Sequence, residues 1–235
     1  MSYKAVLFDL DGTLLPMDLD AFTKQYFGAI AKWLAPHGFE PNATVDAILR
    51  GSYAMVKNDG TRSNEQAFWE DFEGRMGKVD RALFDSFYRE KAPALVATCE
   101  QDPRARLAVE TARATGARVV LATNPMFPAV FTELRAARAG LDVSKLAMVT
   151  TYENSCRCKP NPAYYEDILK SLSLSPEECL MVGNDVEEDM VPAASLGMST
   201  FLVTDWLINK KDRDISAYPN GDLDALISFL AIDKR

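Results

Sequence analysis

The chain has 235 residues, 48% of them apolar and 26% charged, the composition of an ordinary globular protein able to bury a large core in one domain or two. A formal net charge of −8 argues against the basic stripe of a nucleic-acid binder and the polybasic run of a membrane-surface anchor, so neither partner is expected. An acidic chain that handles phosphate anions must supply positive charge locally, from a metal ion or a well-placed lysine. The short apolar run Ala5–Phe8 ends in Asp9 with no secretory cleavage pattern, and nothing approaches the roughly 18 uninterrupted apolar residues of a membrane span. A cytoplasmic location is therefore expected. Cys99, Cys156, Cys158 and Cys179 then read as free thiols, because Cys156-Arg157-Cys158 is one residue short of a Cys-x-x-Cys pair and has no partner pair elsewhere.

In chain order, residues 4–8 form an apolar run closed by Asp-x-Asp-Gly, the pattern of a buried strand entering a turn. From about Asp18 to Ala97 the texture is helical. Phe22, Tyr26, Phe27, Ile30 and Trp33-Leu34 recur at helical spacing, followed by Val45-Ile48-Leu49, Ala67-Phe68 with Phe72, and Leu83-Phe84 with Phe87-Tyr88. Gly38, Pro41, Asn58–Gly60 and Gly77 divide this aromatic-rich segment into about four helices whose aromatics form its own core. Strand-like runs then return at Ala117–Ala122, Ala147–Thr150, Cys179–Val182 and Met198–Val203, short and non-alternating as in parallel strands buried on both faces. Helical patterns separate them at Pro103–Thr115, Pro128–Arg138 and Pro162–Leu172, with a shorter one at Glu187–Leu196 that Pro192 should kink. Strands alternating with helices predict an α/β fold, a doubly wound parallel sheet. Residues 1–16 and 98–235 would form this core, and 17–97 an inserted helical domain.

In such a sheet, ligands bind beyond the carboxyl ends of the strands. The first run ends at Asp9, with Asp11-Gly12-Thr13 following; the second ends at Thr123-Asn124; Lys159 follows the third by a loop; the fourth ends in Gly183-Asn184-Asp185, with Asp189 four residues on. Carboxylates gathered there would repel one another unless a cation sits among them, and hard oxygen donors suit Mg²⁺. Lysine is a compact charge for a phosphate oxygen, and Thr123 a neutral donor for the same group. One aspartate could attack phosphorus while a second protonates the leaving oxygen and later deprotonates water.

Asp9-Leu10-Asp11-Gly12-Thr13, Thr123-Asn124, Lys159-Pro160 and Gly183-Asn184-Asp185-x-x-x-Asp189 resemble, in order, the four motifs of the haloacid dehalogenase superfamily over residues 4 to about 203. The resemblance implies a Rossmann-like core with a mobile helical cap. It also implies Asp9 as nucleophile, Asp11 as general acid and base, and Thr123 and Lys159 as the groups that hold the phosphoryl and the nucleophile. Gly12 and Asn124 would complete the phosphate cradle. Mg²⁺ would be held by Asp9, the main-chain carbonyl of Asp11, and Asp185; Asp189 would steady the lysine or a metal-bound water from outside the ligand set. Asn184 departs from the pattern, standing where many members carry an acid. Asp11 separates phosphoester hydrolysis from the family's dehalogenases and phosphonatases, which lack an acid at that position.

The expected activity is hydrolysis of a small phosphorylated metabolite through an aspartyl-phosphate, with Mg²⁺ as cofactor. A phosphomutase of the same superfamily, and a non-catalytic metal- or phosphate-binding regulatory module, are the alternatives. Taken singly, Thr123 also reads as a helix cap, Lys159 as a surface lysine, and Asp189 as a helix-surface acid. Arg50, Lys57 and Arg62 read first as solvated helix charges and second as substrate contacts, and His37 as a turn residue. The sequence does not name the substrate or the oligomeric state.

Overall fold

A computed structural model describes residues 3–232; residues 1–2 and 233–235 of the expected core lie outside the described residues. Six parallel strands form one sheet in the order β3-β2-β1-β4-β5-β6, the strand order of a doubly wound fold. They are β1 (Ala5–Phe8), β2 (Arg118–Leu121), β3 (Met148–Val149), β4 (Cys179–Gly183), β5 (Ser199–Val203) and the edge strand β6 (Asn220–Gly221). β1 is buried at every residue, as its continuous apolar run requires. It pairs on one side with β2, Phe8 opposite Leu121, and on the other with β4, Phe8 opposite Val182. The carboxyl ends of β1, β2 and β4 are thus level, and the chain turns outward from all three at one edge. Two-residue β6 was not foreseen, because Asn-Gly carries no apolar signal.

Within residues 18–97 run α1 (Leu19–Leu34), α2 (Pro41–Val56), α3 (Asn64–Met76), α4 (Ala82–Glu90) and short α5 (Ala92–Val96), five helices rather than about four. Asp18 caps α1, its carboxylate accepting from the Ala21 amide at 3.0 Å. The α1 stripe Phe22, Tyr26, Ile30 and Leu34 is buried at four-residue spacing. α3 opens with a reciprocal capping box between Ser63 and Gln66. His37 ends a short 3-10 turn beside Trp33, away from the sheet edge.

The remaining helices are α6 (Pro103–Ala114), α7 (Ala129–Arg138), α8 (Pro162–Leu172), α9 (Val191–Ser195) and α10 (Leu223–Ile232). The segment expected as one kinked helix divides in two. Val186–Met190 makes a π turn, and Pro192 sits in the first turn of α9, where its missing N–H costs nothing. The insertion packs on the sheet layer through α1 and α7. Phe22 stacks on Phe131 with centroids 6.3 Å apart, and Tyr26 meets Phe127 edge-on at 5.3 Å. All four cysteines are free. Among the described residues, no helix is long and apolar enough to cross a membrane.

Candidate active site

Asp9 leaves β1 at its carboxyl end, its amide donating to Val182 O of the neighbouring strand at 2.9 Å. The next turn folds back on itself: Gly12 adopts φ +85°, and the Leu14 and Leu15 amides both reach Leu10 O. Only glycine fits at position 12, because a Cβ there would lie 2.4 Å from Asn184 Nδ2. The turn delivers Thr13, whose hydroxyl lies 3.1 Å from Asp9 Oδ2 and 2.9 Å from Asn184 Oδ1 and can donate to either. Asn184 is fixed in turn by its amide donating to Trp206 O at 2.6 Å.

Lys159 enters from the loop before α8, its side chain only 1% exposed. Its Nζ donates to Asp9 Oδ1 at 2.8 Å and to Asp189 Oδ1 at 2.6 Å, so one ammonium bridges two strand ends. Burial alone would push this lysine down, but Asp189 and Asp9 hold it well above its ordinary value and it stays charged. Asp189 is therefore not a surface acid: it is 1% exposed, and its Oδ2 accepts from the Asp185 amide at 3.0 Å. Burial raises its carboxyl to about 7 against the opposing pull of Lys159. Gly183 gives this carboxylate its room, since a Cβ on Gly183 would sit 2.1 Å from Asp189 Oδ2.

Asp185 lies at the same edge, but its Oδ1 caps the π turn, accepting from the Glu187 and Glu188 amides at 2.8 and 3.0 Å. Thr123 is buried at the end of β2, its carbonyl held by Thr150 Oγ1 at 2.7 Å and Tyr164 Oη at 2.9 Å. Asn124 donates to Glu188 Oε2 at 3.0 Å, and its own Oδ1 is buried without a partner.

Two functional candidates escaped sequence reasoning. Arg135, on α7, pairs through Nη1 with Asp11 Oδ2, its side chain 1% exposed. Its guanidinium lies over the rings of Phe127 and Phe131, 4.7 and 4.9 Å from their centroids, which offsets part of the cost of burying it. The contact leaves Arg135 Nη2 and Asp11 Oδ1 buried without protein partners. Burial raises the Asp11 carboxyl, Arg135 draws it back, and Asp9 adds to the rise. A signal existed: Arg135 stands four residues after Phe131 on the apolar stripe of its helix, where a charge needs a partner. The second is Glu188, raised to about 7 chiefly by burial, with nearby Asp185 and Asp9 adding to the rise and Lys159 opposing it.

Asp9, Asp11, Thr123, Asn124, Asn184, Asp185 and Asp189 all line one cavity of about 330 Å³, and Arg135 and Glu188 join them. It runs from the strand ends up between α1, α2, α3 and α4. Arg50, Lys57 and Arg62 do not line it: Arg50 pairs with Asp46, Arg62 with Glu70, and Lys57 lies over the Tyr53 ring. The donors opening on the cavity floor are carboxylate, hydroxyl and amide oxygens, with no thiol or imidazole among them, a set that suits a hard divalent cation. Four aspartates there face two buried cations, Lys159 and Arg135, so a phosphate dianion would add to an existing negative excess. Among the described residues, no three His, Cys, Asp or Glu side chains form a ready-made metal cluster. A cation would thus complete its coordination from main-chain carbonyls, water and the phosphate itself.

The family model described as haloacid dehalogenase-like hydrolase matches residues 3–197. The chain is 26% identical over 237 residues to mouse acyl-CoA dehydrogenase family member 10, covering 97% of this chain and 19% of that protein. It is 39% identical over 56 residues to glyceraldehyde 3-phosphate phosphatase of Methanothermobacter thermautotrophicus, 24% of each chain. The chain thus spans about a fifth to a quarter of the length of these curated relatives. Among solved structures, 2-haloacid dehalogenase from Pseudomonas syringae pv. Tomato superposes with a TM-score of 0.63 at 20% identity, over 98% of this chain and 99% of that one.

Proposed function

The chain belongs to the haloacid dehalogenase-like hydrolases, and within that family we propose that it is a Mg²⁺-dependent phosphomonoester hydrolase working through an aspartyl-phosphate on Asp9. The observation that carries this reading is the Lys159 bridge between Asp9 and Asp189, with Asp11 two residues from the nucleophile and held by Arg135. Lys159 orients Asp9 and lends charge to the equatorial oxygens of the incoming phosphoryl. An Asp9 carboxylate oxygen attacks phosphorus as the bond to the ester oxygen breaks, and Asp11 gives that oxygen its proton. Water then attacks the aspartyl-phosphate, Asp11 takes a proton from it, and the Asp9–phosphorus bond breaks to release phosphate. The Thr123 hydroxyl and an N–H of Asn124 would hold phosphoryl oxygens through both steps.

Asp9, Asp185 and the Asp11 carbonyl would hold Mg²⁺, which when bound neutralises the phosphate and the surplus carboxylate charge. Asp11 favours an ester over a carbon–halogen substrate, because an alkoxide must be protonated to leave and a halide need not be. The named phosphatase among the relatives supports the same choice. The helical segment Leu19–Val96 acts in this reading as the cap that closes over the reacting groups.

The test is phosphate release from para-nitrophenyl phosphate with Mg²⁺, with EDTA, and with Asp9→Asn. Metal-dependent release that falls by at least about 10³-fold in Asp9→Asn is expected. Unchanged release in that variant, or no release under any condition, contradicts the proposal.

A further inference from the structure

Resting on that reading of the catalytic end, we propose that the alcohol released from the phosphoester is apolar, an aryl or medium-chain alkyl group, rather than a sugar or a charged metabolite. The wall that the helices α1 to α4 contribute to the cavity carries no charged residue. Its larger members are Phe22, Tyr26, Phe27, Ile30, Phe68 and Trp69. Part of the hydroxyl capacity that could have recognised a polyol is used inside the wall itself. Tyr26 Oη and Tyr88 Oη hydrogen-bond each other at 2.8 Å, and Tyr152 is bonded to the Trp69 side chain. Burial pushes Tyr26 up to about 12 against the opposing pull of its Tyr88 hydrogen bond and of Arg135, so it offers no anion to a cationic ligand. Besides the one proton that the Tyr26–Tyr88 pair leaves free, the helical wall offers the Thr23 and Ser52 hydroxyls, too few for the hydroxyls of a sugar.

A second observation is independent of the wall. Large exposed apolar side chains gather at the mouth of this same cavity. Leu19 and Leu49 line it while staying about half exposed, Tyr53 lies one helical turn from Leu49, and exposed Trp206 and Leu207 precede Ile208, which also lines it. Apolar groups left in water beside an apolar channel mark a surface that a ligand covers. Apart from Lys210, which lines the cavity beside Ile208, the polar demands of the site sit at the strand ends, where the phosphate goes, and the helical wall above them rewards burial of carbon. A polyol leaving group would lose its hydration there without replacement, whereas each methylene buried should be worth roughly a fourfold gain.

The test compares kcat/KM for methyl, butyl and hexyl phosphate with glucose 6-phosphate, all primary alkoxide leaving groups of similar basicity, and runs acetyl phosphate in parallel. Acetyl phosphate has almost no leaving group to recognise and reports phosphoryl transfer alone. The expected result is a monotonic rise along the alkyl series, with hexyl phosphate at least about thirtyfold above both methyl phosphate and glucose 6-phosphate. Leu49→Asn, at a half-exposed position where folding is spared, should cut the hexyl-to-acetyl preference by about fivefold or more. Turnover of acetyl phosphate with a flat alkyl series, or with glucose 6-phosphate preferred, overturns the apolar leaving group and leaves the hydrolase standing. No turnover of acetyl phosphate or of any ester overturns both.

Discussion

Lys159 and Arg135 divide the electrostatic work of the site. Lys159 binds Asp9 to Asp189, while Arg135, its guanidinium over the Phe127 and Phe131 rings, binds Asp11. If Arg135 positions Asp11 to protonate the leaving oxygen, its loss should matter in proportion to how badly that oxygen needs a proton. Arg135→Met is therefore expected to lower kcat on an alkyl phosphate by about 10²-fold or more, the scale of general acid catalysis. On acetyl phosphate, whose acetate leaves unprotonated, the fall should be under about tenfold. Equal losses on both substrates would mean that Arg135 only supports packing. The residues legible in the sequence were those that end apolar runs, because the end of a buried parallel strand is a ligand position by topology. Arg135 and Glu188 sit on helical stretches, where a charge reads by default as solvated, and only the packed structure shows them buried.

At the scale of elements, the helical insertion is tied to the catalytic loop by the first residue of α3. Asn64 is fully buried, with Nδ2 within 3.3 Å of Pro125 O, Arg157 O and Cys158 Sγ and with Oδ1 accepting from Asn58 Nδ2 at 2.9 Å. Its amide also donates to Ser155 O at 2.8 Å, so the start of α3 clasps the stretch that leads into Lys159. Truncation would strand several buried polar groups. Asn64→Ala should destabilise the protein by about 2–3 kcal/mol in urea unfolding. Because the clasp also seats Lys159, kcat should fall alongside. A loss below about 0.5 kcal/mol would show that water replaces the side chain without cost. This junction was invisible in the sequence, since Asn58–Gly60 read only as helix punctuation and Asn64 carries no signal of its partners. The strands were legible for the opposite reason: five non-alternating apolar runs have few other ways to be buried. The π turn at Val186–Met190 was missed because it and α9 share a helical pattern that only Pro192 interrupts.

Across the whole molecule, a doubly wound sheet gathers acids and cations at its carboxyl edge, and an aromatic helical layer closes over them. The sheet and its order of motifs were readable because topology fixes where strand ends meet; the cavity above was not, because which aromatics face a ligand and which face one another depends on how five helices pack. The proposed division of labour rests on that arrangement, with chemistry assigned to the sheet edge and selection to the helical layer. At the centre stands the claim that phosphoryl passes through the Asp9 carboxylate. The direct measurement is rapid acid quenching during turnover of acetyl phosphate with Mg²⁺, followed by peptide mapping. A phosphoryl adduct on the peptide bearing Asp9, absent in Asp9→Asn and without Mg²⁺, is the predicted result; turnover that leaves that peptide unmodified, or modifies another residue, would contradict it.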